Sequence, residues 1–368
     1  MSPADDLDCF AASYAEARAK FQLAVAQGGG QLNSWVHPDQ LAPDGGTLAI
    51  DVACFGARDA PKALLILSGT HGGEGYTGSA AQIALVRSGA CASLARDTRV
   101  VLVHAINPYG FAHGTRTTEN NVDLNRNFIA FSGRLPSNPD YLEVHGAICP
   151  DEWTAASRAT TQREIDDWVQ KRGTQAWMQA IMMGQYDDPT GLNYGGRAPE
   201  WSHRTLAEVI RRELPAVRQL AFIDWHSGLG SPGRPFFLCF NAYRDANWER
   251  VCGWWGRDRI ESVKGFGGAQ RPAYSGLVFQ GVQRLVTPAD MAGAVIEFGT
   301  LPLNETFDQL RIDRWLKFGR KPDDLSVLAA LRRGVLDAFT PPDPGWRRGV
   351  VAQAREIQWQ CLAGLRAW

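Results

Sequence analysis

Residues 62–75 read Lys-Ala-Leu-Leu-Ile-Leu-Ser-Gly-Thr-His-Gly-Gly-Glu-Gly. A short apolar run, Lys62 to Leu67, breaks into a glycine-rich turn that carries a histidine and a glutamate. The run has the pattern of a strand buried on both faces of a sheet. Arg99–Ile106 (RVVLVHAI), Leu220–Asp224 (LAFID) and Gly293–Phe298 (GAVIEF) read the same way, and Thr47–Phe55 alternates like a strand. A helix over Gly78–Arg87 fits between the runs at 62 and 99. Strands alternating with helical segments predict an α/β fold, a mixed twisted sheet with helices on both faces. Three of the runs end in polar residues: SGTHGGE, DWHSG and IEFGT. Ligands of open α/β sheets sit beyond the carboxyl ends of strands, so these three ends point to one shared site.

The flanks are simpler. Leu7, Phe10, Tyr14, Ala17, Phe21 and Ala24 recur at three-four spacing, which predicts an amphipathic helix over Ser2–Gln27 stopped by Gly28-Gly29-Gly30. Residues 132–215 form a long stretch rich in Trp, Tyr, Asp and Gly. Within it Thr161–Met183 is helical in pattern, whereas the tail GQYDDPTGLNYGGRAPEWS is not. So long a connection is functional or disordered, and its aromatics argue for an ordered insertion packed over the cleft. Residues 322–368 predict two closing helices, Leu325–Phe339 and Trp346–Leu365. The whole of 1–368 reads as one domain.

With 38 Lys plus Arg against 39 Asp plus Glu in 368 residues, the near-neutral balance favours no nucleic-acid partner. The acidic N-terminus lacks the positive start and apolar stretch of a secretory signal, and no window approaches the ~20 apolar residues of a membrane span. The seven cysteines are scattered and form no Cys-x-x-Cys pair. They predict small core residues in a reduced cytoplasm rather than a disulfide framework or a cysteine zinc site. Oligomeric state leaves no trace in the sequence.

The chemistry lies in four pieces. His71 and Glu74, three apart on a turn after a strand, are both good zinc ligands; alone, such a pair more often marks a turn that bonds its own backbone. Arg116 offers a fixed charge for an oxyanion. Asn125 and Arg126, in Val122-Asp-Leu-Asn-Arg-Asn-Phe128, offer an amide and a planar fork for a carboxylate. His226, in Asp-Trp-His-Ser-Gly, stands at a strand end. Glu297 is a carboxylate embedded in an apolar strand, where a charge needs a partner or a task.

Taken in order, His-x-x-Glu, Asn-Pro-x-Gly-Phe, Arg, Asp-x-Asn-Arg-Asn-aromatic, Asp-x-His-Ser and apolar-Glu-Phe resemble the signature of the zinc carboxypeptidase superfamily. The combination HGGEG, NVDLNRNF and GQYxxPxGLxYGG also resembles an uncharacterised bacterial branch of it. The resemblance spans about Leu64 to Thr300. It implies a carboxypeptidase A-like (phosphorylase/hydrolase-like) fold and one zinc per chain on His71, Glu74 and His226. It further implies Glu297 as general base and acid, Arg116 at the scissile carbonyl oxygen, and Asn125 with Arg126 on a terminal carboxylate. For the tyrosine that closes over substrate in the secreted members, Tyr274 is the candidate and Tyr194 its rival. Two departures stand out: Gly228 replaces the tyrosine that follows the third ligand's serine, and the short interval from Arg116 to Asn125 is nearer the aspartoacylase-like deacylases.

The expected function is therefore zinc-dependent hydrolysis of an amide bond next to a free carboxylate, a metallocarboxypeptidase acting on short peptides. An N-acyl amino acid deacylase with the same site is the alternative, and a catalytically silent carboxylate-binding protein is the third. His104, in an apolar strand, is expected in the core, and His113 is a further candidate for the pocket wall. His37, His145 and His203 have no matching context.

Overall fold

The computed structural model describes residues 6–260 and 269–368. Its centre is a seven-stranded mixed sheet: β1 (Gln31–Leu41), β2 (Thr47–Phe55), β3 (Lys62–Ser68), β4 (Thr98–His104), β5 (Gln219–Gly228), β6 (Pro235–Leu238) and β7 (Asp290–Gly299), in the order β1-β2-β4-β3-β5-β7-β6. The four inner strands β4, β3, β5 and β7 run parallel. β1, β2 and β6 are antiparallel to their neighbours and form the flanks.

Strand alternation sends side chains to two covered faces. Leu64, Ile66, Val100, Leu102, Ile223 and Ile296 pack under the helices Tyr14–Gln27, Gly75–Arg87, Ala246–Trp255 and Pro344–Ala367. Leu65, Leu67, Val101, Val103 and Phe222 pack under Trp201–Glu213 and Val278–Val286. Burying each such aliphatic side chain contributes roughly 1.5–3 kcal/mol, which is why the inner strands read as unbroken apolar runs. All seven cysteines are buried and free.

The same alternation places the polar ends. Leu220 and Phe222 belong to the second face, so Asp224 and His226 emerge on it; Met291 belongs there too, so Glu297 does as well. β5 and β7 pair in register with His226 opposite Glu297. The ends of β3, β5 and β7 thus meet at one edge of the sheet.

Several boundaries differ from the sequence reading. Of the helix expected over Ser2–Gln27, the chain is continuously helical from Tyr14, where Ser13 caps it by accepting from the Glu16 amide; residues 2–5 lie outside the described residues. The helical stretch at 161–183 is two helices, Ala155–Arg172 and Thr174–Met182, broken at Gly173, whose φ is +86°. β1, β6 and the helices Trp201–Glu213, Ala246–Trp255, Val278–Val286 and Leu303–Phe318 lie outside the predicted elements. The closing helices stand at Leu325–Phe339 and Pro344–Ala367. Among the described residues no helix is long and apolar enough to cross a membrane.

Residues 132–215 contribute a small core of their own, with Tyr141, Val144, Ile148, Ile165 and Ile181 packed against Phe307 and Leu310 of Leu303–Phe318. The non-helical tail closes on itself: Gln185 Oε1 accepts from the amides of Asp187 and Asp188. It then folds back, with the Tyr186 hydroxyl donating to the Arg126 carbonyl.

Candidate metal centre

β3 ends at Ser68, and Gly69, at φ +68°, turns the chain toward His71. Gly72–Glu74 then makes a single 3-10 turn. A side chain at Gly72 would place its Cβ 1.9 Å from the Gly110 carbonyl carbon, whereas one at Gly73 would meet nothing within 4 Å. The turn is held by the neighbouring loop: the Gly72 and Gly73 amides donate to the carbonyls of Arg116 and Thr115, each at 3.1 Å.

His71, Glu74 and His226 are all buried, and their donor atoms lie within 4.8 Å of one another. His226 Nδ1 is 3.1 Å from His71 Nδ1 and 2.9 Å from Glu74 Oε2, and His71 Nδ1 is 2.9 Å from Glu74 Oε1. Each ring turns its other nitrogen to a carboxylate. His71 Nε2 meets Asp123 Oδ1 at 3.1 Å. His226 Nε2 lies 3.0 Å from Asp224 Oδ2, off the line of a good hydrogen bond, so Asp224 acts there chiefly through its charge. A carboxylate behind each Nε2 favours the tautomer that leaves Nδ1 bare. Two bare nitrogens and a carboxylate turned to one point repel unless a cation lies among them. Two neutral imidazoles and a carboxylate are a normal zinc donor set, and these residues fit one.

Without a metal ion, a proton takes the place of the cation in this cluster, and zinc would displace it. Burial pushes the Glu74 carboxyl up, but His71 and His226 more than offset it, leaving it below the usual carboxylate range. Burial likewise opposes ionisation of Asp123, yet Arg116 and His71 hold it well below its ordinary value. Burial disfavours a charged His226, but Asp224 and Glu74 raise it well above the normal imidazole value. Glu297 differs. Burial, and then the Glu74 charge, push its carboxyl up to about 7. It is 7% exposed, and its Oε2 accepts from the Leu229 amide at 3.3 Å. Such a carboxyl is poised near neutrality for proton transfer.

Arg116 donates to Asp123 Oδ2 at 3.0 and 3.2 Å and to Glu74 Oε1 at 3.3 Å. Glu74, Arg116, Arg126 and Glu297 together line a cavity of about 90 Å³. Its remaining wall is mainly apolar: Ile181 and Met182 from the 132–215 segment, Leu303, Phe307 and Leu310 from one helix, and Phe339. Asn193, also from that segment, adds an amide.

The two residues of the carboxylate pair are placed differently. Arg126 faces the cavity, but its guanidinium donates to the carbonyls of Asn125 and Met182. Asn125 is not among the residues lining that cavity; its Oδ1 accepts from the Val278 amide at 3.0 Å. Tyr274 stands with its ring 5.1 Å from the Arg126 guanidinium carbon and edge-on to Phe240. The rival Tyr194 is buried, and its carbonyl accepts from the Asp123 amide.

A family described as a protein of unknown function (DUF2817) matches residues 10–353. The chain belongs to that family. Among curated proteins none matches it. Among solved structures, carboxypeptidase A from Helicoverpa armigera is similar at TM-score 0.54 and 13% identity, over 96% of this chain and 73% of that one. A metallo-carboxypeptidase from Burkholderia cenocepacia is similar at TM-score 0.43 and 12% identity, over 95% and 68%. A murein-tripeptide amidase from Escherichia coli O157 reaches TM-score 0.35 and 16% identity, over 80% and 93%. The first of these likenesses establishes a carboxypeptidase A-like fold for this DUF2817 protein.

Sequence reasoning assigned no task to Asp123, Asp224 or Asp313. The first two stand inside quoted motifs, two residues from Asn125 and His226, and that adjacency was the available signal. Asp313 had none. Of the remaining histidines, His104 is fully buried, stacked on Phe21 with Nε2 2.9 Å from the Ser79 hydroxyl. His113 stacks on Tyr109 and meets the Leu41 carbonyl, away from the cavity.

Proposed function

We propose that the chain is a zinc-dependent hydrolase that cleaves an amide bond next to a free carboxylate, a metallocarboxypeptidase acting on short peptides. The observation that carries this reading is the convergence of His71 Nδ1, His226 Nδ1 and Glu74 on one point, beside a cavity that also receives Glu297 and Arg116. Zinc held there supplies Lewis-acid polarisation of the carbonyl and a lowered water pKa. Glu297 takes a proton from the attacking water and returns it to the leaving amine nitrogen. Arg116 offsets the negative charge that develops on the carbonyl oxygen, its guanidinium aimed by Asp123. Arg126, braced by the Asn125 carbonyl, orients the substrate carboxylate, and Tyr274 covers it.

The segment 132–215 forms part of the wall, and we assign it the task of limiting substrates to small molecules or short peptides. The apolar lining by Ile181, Met182 and Phe307 equally suits an acyl group, which favours an N-acyl amino acid deacylase as the second reading.

Metal analysis followed by a screen of short peptides and N-acyl amino acids tests both. Zinc at one equivalent with turnover of either class is the expected outcome. Zinc without turnover of any free-carboxylate amide leaves a silent carboxylate-binding protein, and protein that takes up no zinc overturns the reading.

A further inference from the structure

Asp313 reaches the back of the metal centre from the helix Leu303–Phe318. It is 4% exposed and borders the same small cavity as His71, Gly73, Glu74 and Arg116. Its carboxylate accepts from the Thr115 hydroxyl at 2.9 and 2.8 Å and from the Arg116 amide at 2.9 Å. Arg332 donates to Asp313 Oδ1 and, at 3.0 Å, to the Gly114 carbonyl. One carboxylate–guanidinium pair, its carboxylate buried and its guanidinium half-buried, therefore grips three consecutive residues, 114–116. On the other side of that backbone, the Thr115 and Arg116 carbonyls take the amides of Gly73 and Gly72.

We propose that Asp313 is a positioning residue for the metal centre, acting through Thr115 and Arg116 on the turn that carries His71 and Glu74. The proposal rests on reading those residues, with His226, as the zinc site. The physical need is plain. Two successive glycines give the turn more backbone freedom than any other pair of residues, and the amides of both are tied to a loop. That loop in turn needs a fixed anchor. Hydrogen bonds to an ionised carboxylate are roughly twice as strong as neutral ones, and Asp313 is held rigidly on a helix. Without it, the 115–116 backbone relaxes and the ligand atoms spread. Lys317, one turn along, donates to Thr117 and Asn121 instead, beyond the residues that hold the turn.

The test uses the full chain and two readouts, zinc affinity by competition with a chromophoric chelator and melting temperature. Asp313→Asn keeps the shape but removes the charge; Thr115→Val removes the hydroxyl and leaves Asp313 in place. Asp313→Asn is expected to weaken zinc binding by the ~10–100-fold typical of partners that orient metal ligands, with a smaller loss in Thr115→Val. Arg311→Met is the control: Arg311 is on the same helix and equally buried, but bonds the Ala147 carbonyl and the Thr161 hydroxyl. It should lower the melting temperature and leave zinc affinity unchanged. Zinc bound by Asp313→Asn and Thr115→Val as tightly as by wild type overturns the proposal. So does an equal loss of affinity in Arg311→Met. If Asp313→Asn does not fold, Thr115→Val decides alone. Wild-type protein that takes up no zinc is a different failure, that of the zinc site itself.

Discussion

The imidazoles of His71 and His226 stand edge to face, ring centroids 4.7 Å apart, with their Nδ1 atoms 3.1 Å from one another. Each belongs to a different strand end, and Glu74 bridges them. A juxtaposition of two acceptor nitrogens is tolerable only with a proton or a metal ion between them, and this relationship leads to the first prediction.

The chain should bind one equivalent of zinc. At a hundredfold excess over its dissociation constant, zinc should stabilise the fold by ~2.7 kcal/mol. His71→Ala and His226→Ala should each lose the metal and keep the fold, as read by elemental analysis and circular dichroism. Zinc retained in both variants places the metal elsewhere.

The two glycines between the ligands should behave oppositely. Gly72→Ala drives a Cβ into the Gly110 backbone, which cannot step aside, so a loss of about 1–3 kcal/mol is expected, with weaker zinc binding. Gly73→Ala faces open space and should be nearly neutral. Equal melting temperatures for the two variants would contradict the geometry of the turn.

Glu297→Gln should retain zinc and lose at least the ~10²-fold in turnover expected of a general base. Its carboxyl, raised by burial and then by Glu74 to about 7 from an ordinary 4.5, also makes a pH prediction for the metal-free protein. A raised carboxyl favours the protonated folded state, so its contribution is full below pH 4.5 and is lost as the pH rises through 7. Relative to Glu297→Gln, the wild type should therefore lose stability between those values. Melting temperatures that differ by a constant amount across that range would remove Glu297 from the buried site.

Substrates with a free carboxylate should be preferred over their amides or esters, and Arg126→Met should abolish that preference rather than slow every substrate alike. The comparison needs kcat/KM for matched free and blocked peptides. Equal values in the wild type would count against both the carboxypeptidase and the amino-acid deacylase readings.

Turnover should fall steeply along a peptide series from two to ten residues, because Ile181, Met182 and Asn193 narrow the cavity. Replacing Met182 by Ala should shift that cut-off toward longer or bulkier substrates. Undiminished cleavage of the longest peptides would show that the segment leaves the cleft open.

Much of the frame is legible in the sequence alone. The inner strands had to be apolar on both faces, so Lys62–Leu67, Leu220–Asp224 and Gly293–Phe298 declared themselves. Their period of two then carried Asp224, His226 and Glu297 to a shared face. β1 and β6 did not declare themselves: β1 is largely exposed, with His37 its one buried residue, and β6 is four residues long, so neither shows a buried run. The helix Trp201–Glu213 was hidden by its neighbours, although Leu206, Val209 and Ile210 lie at helical spacing. Tertiary structure alone decided which helix backs the site. The bond from Asp313 to Thr115 joins residues 198 apart, and periodicity carries no signal for a polar contact of that kind. The same holds for Arg126, whose partner at the Met182 carbonyl comes from a segment 56 residues away. Local sequence sets the face on which a side chain emerges, because backbone geometry repeats every two or 3.6 residues. Which distant polar group it meets depends on how the layers pack, and that is settled only when the whole core closes.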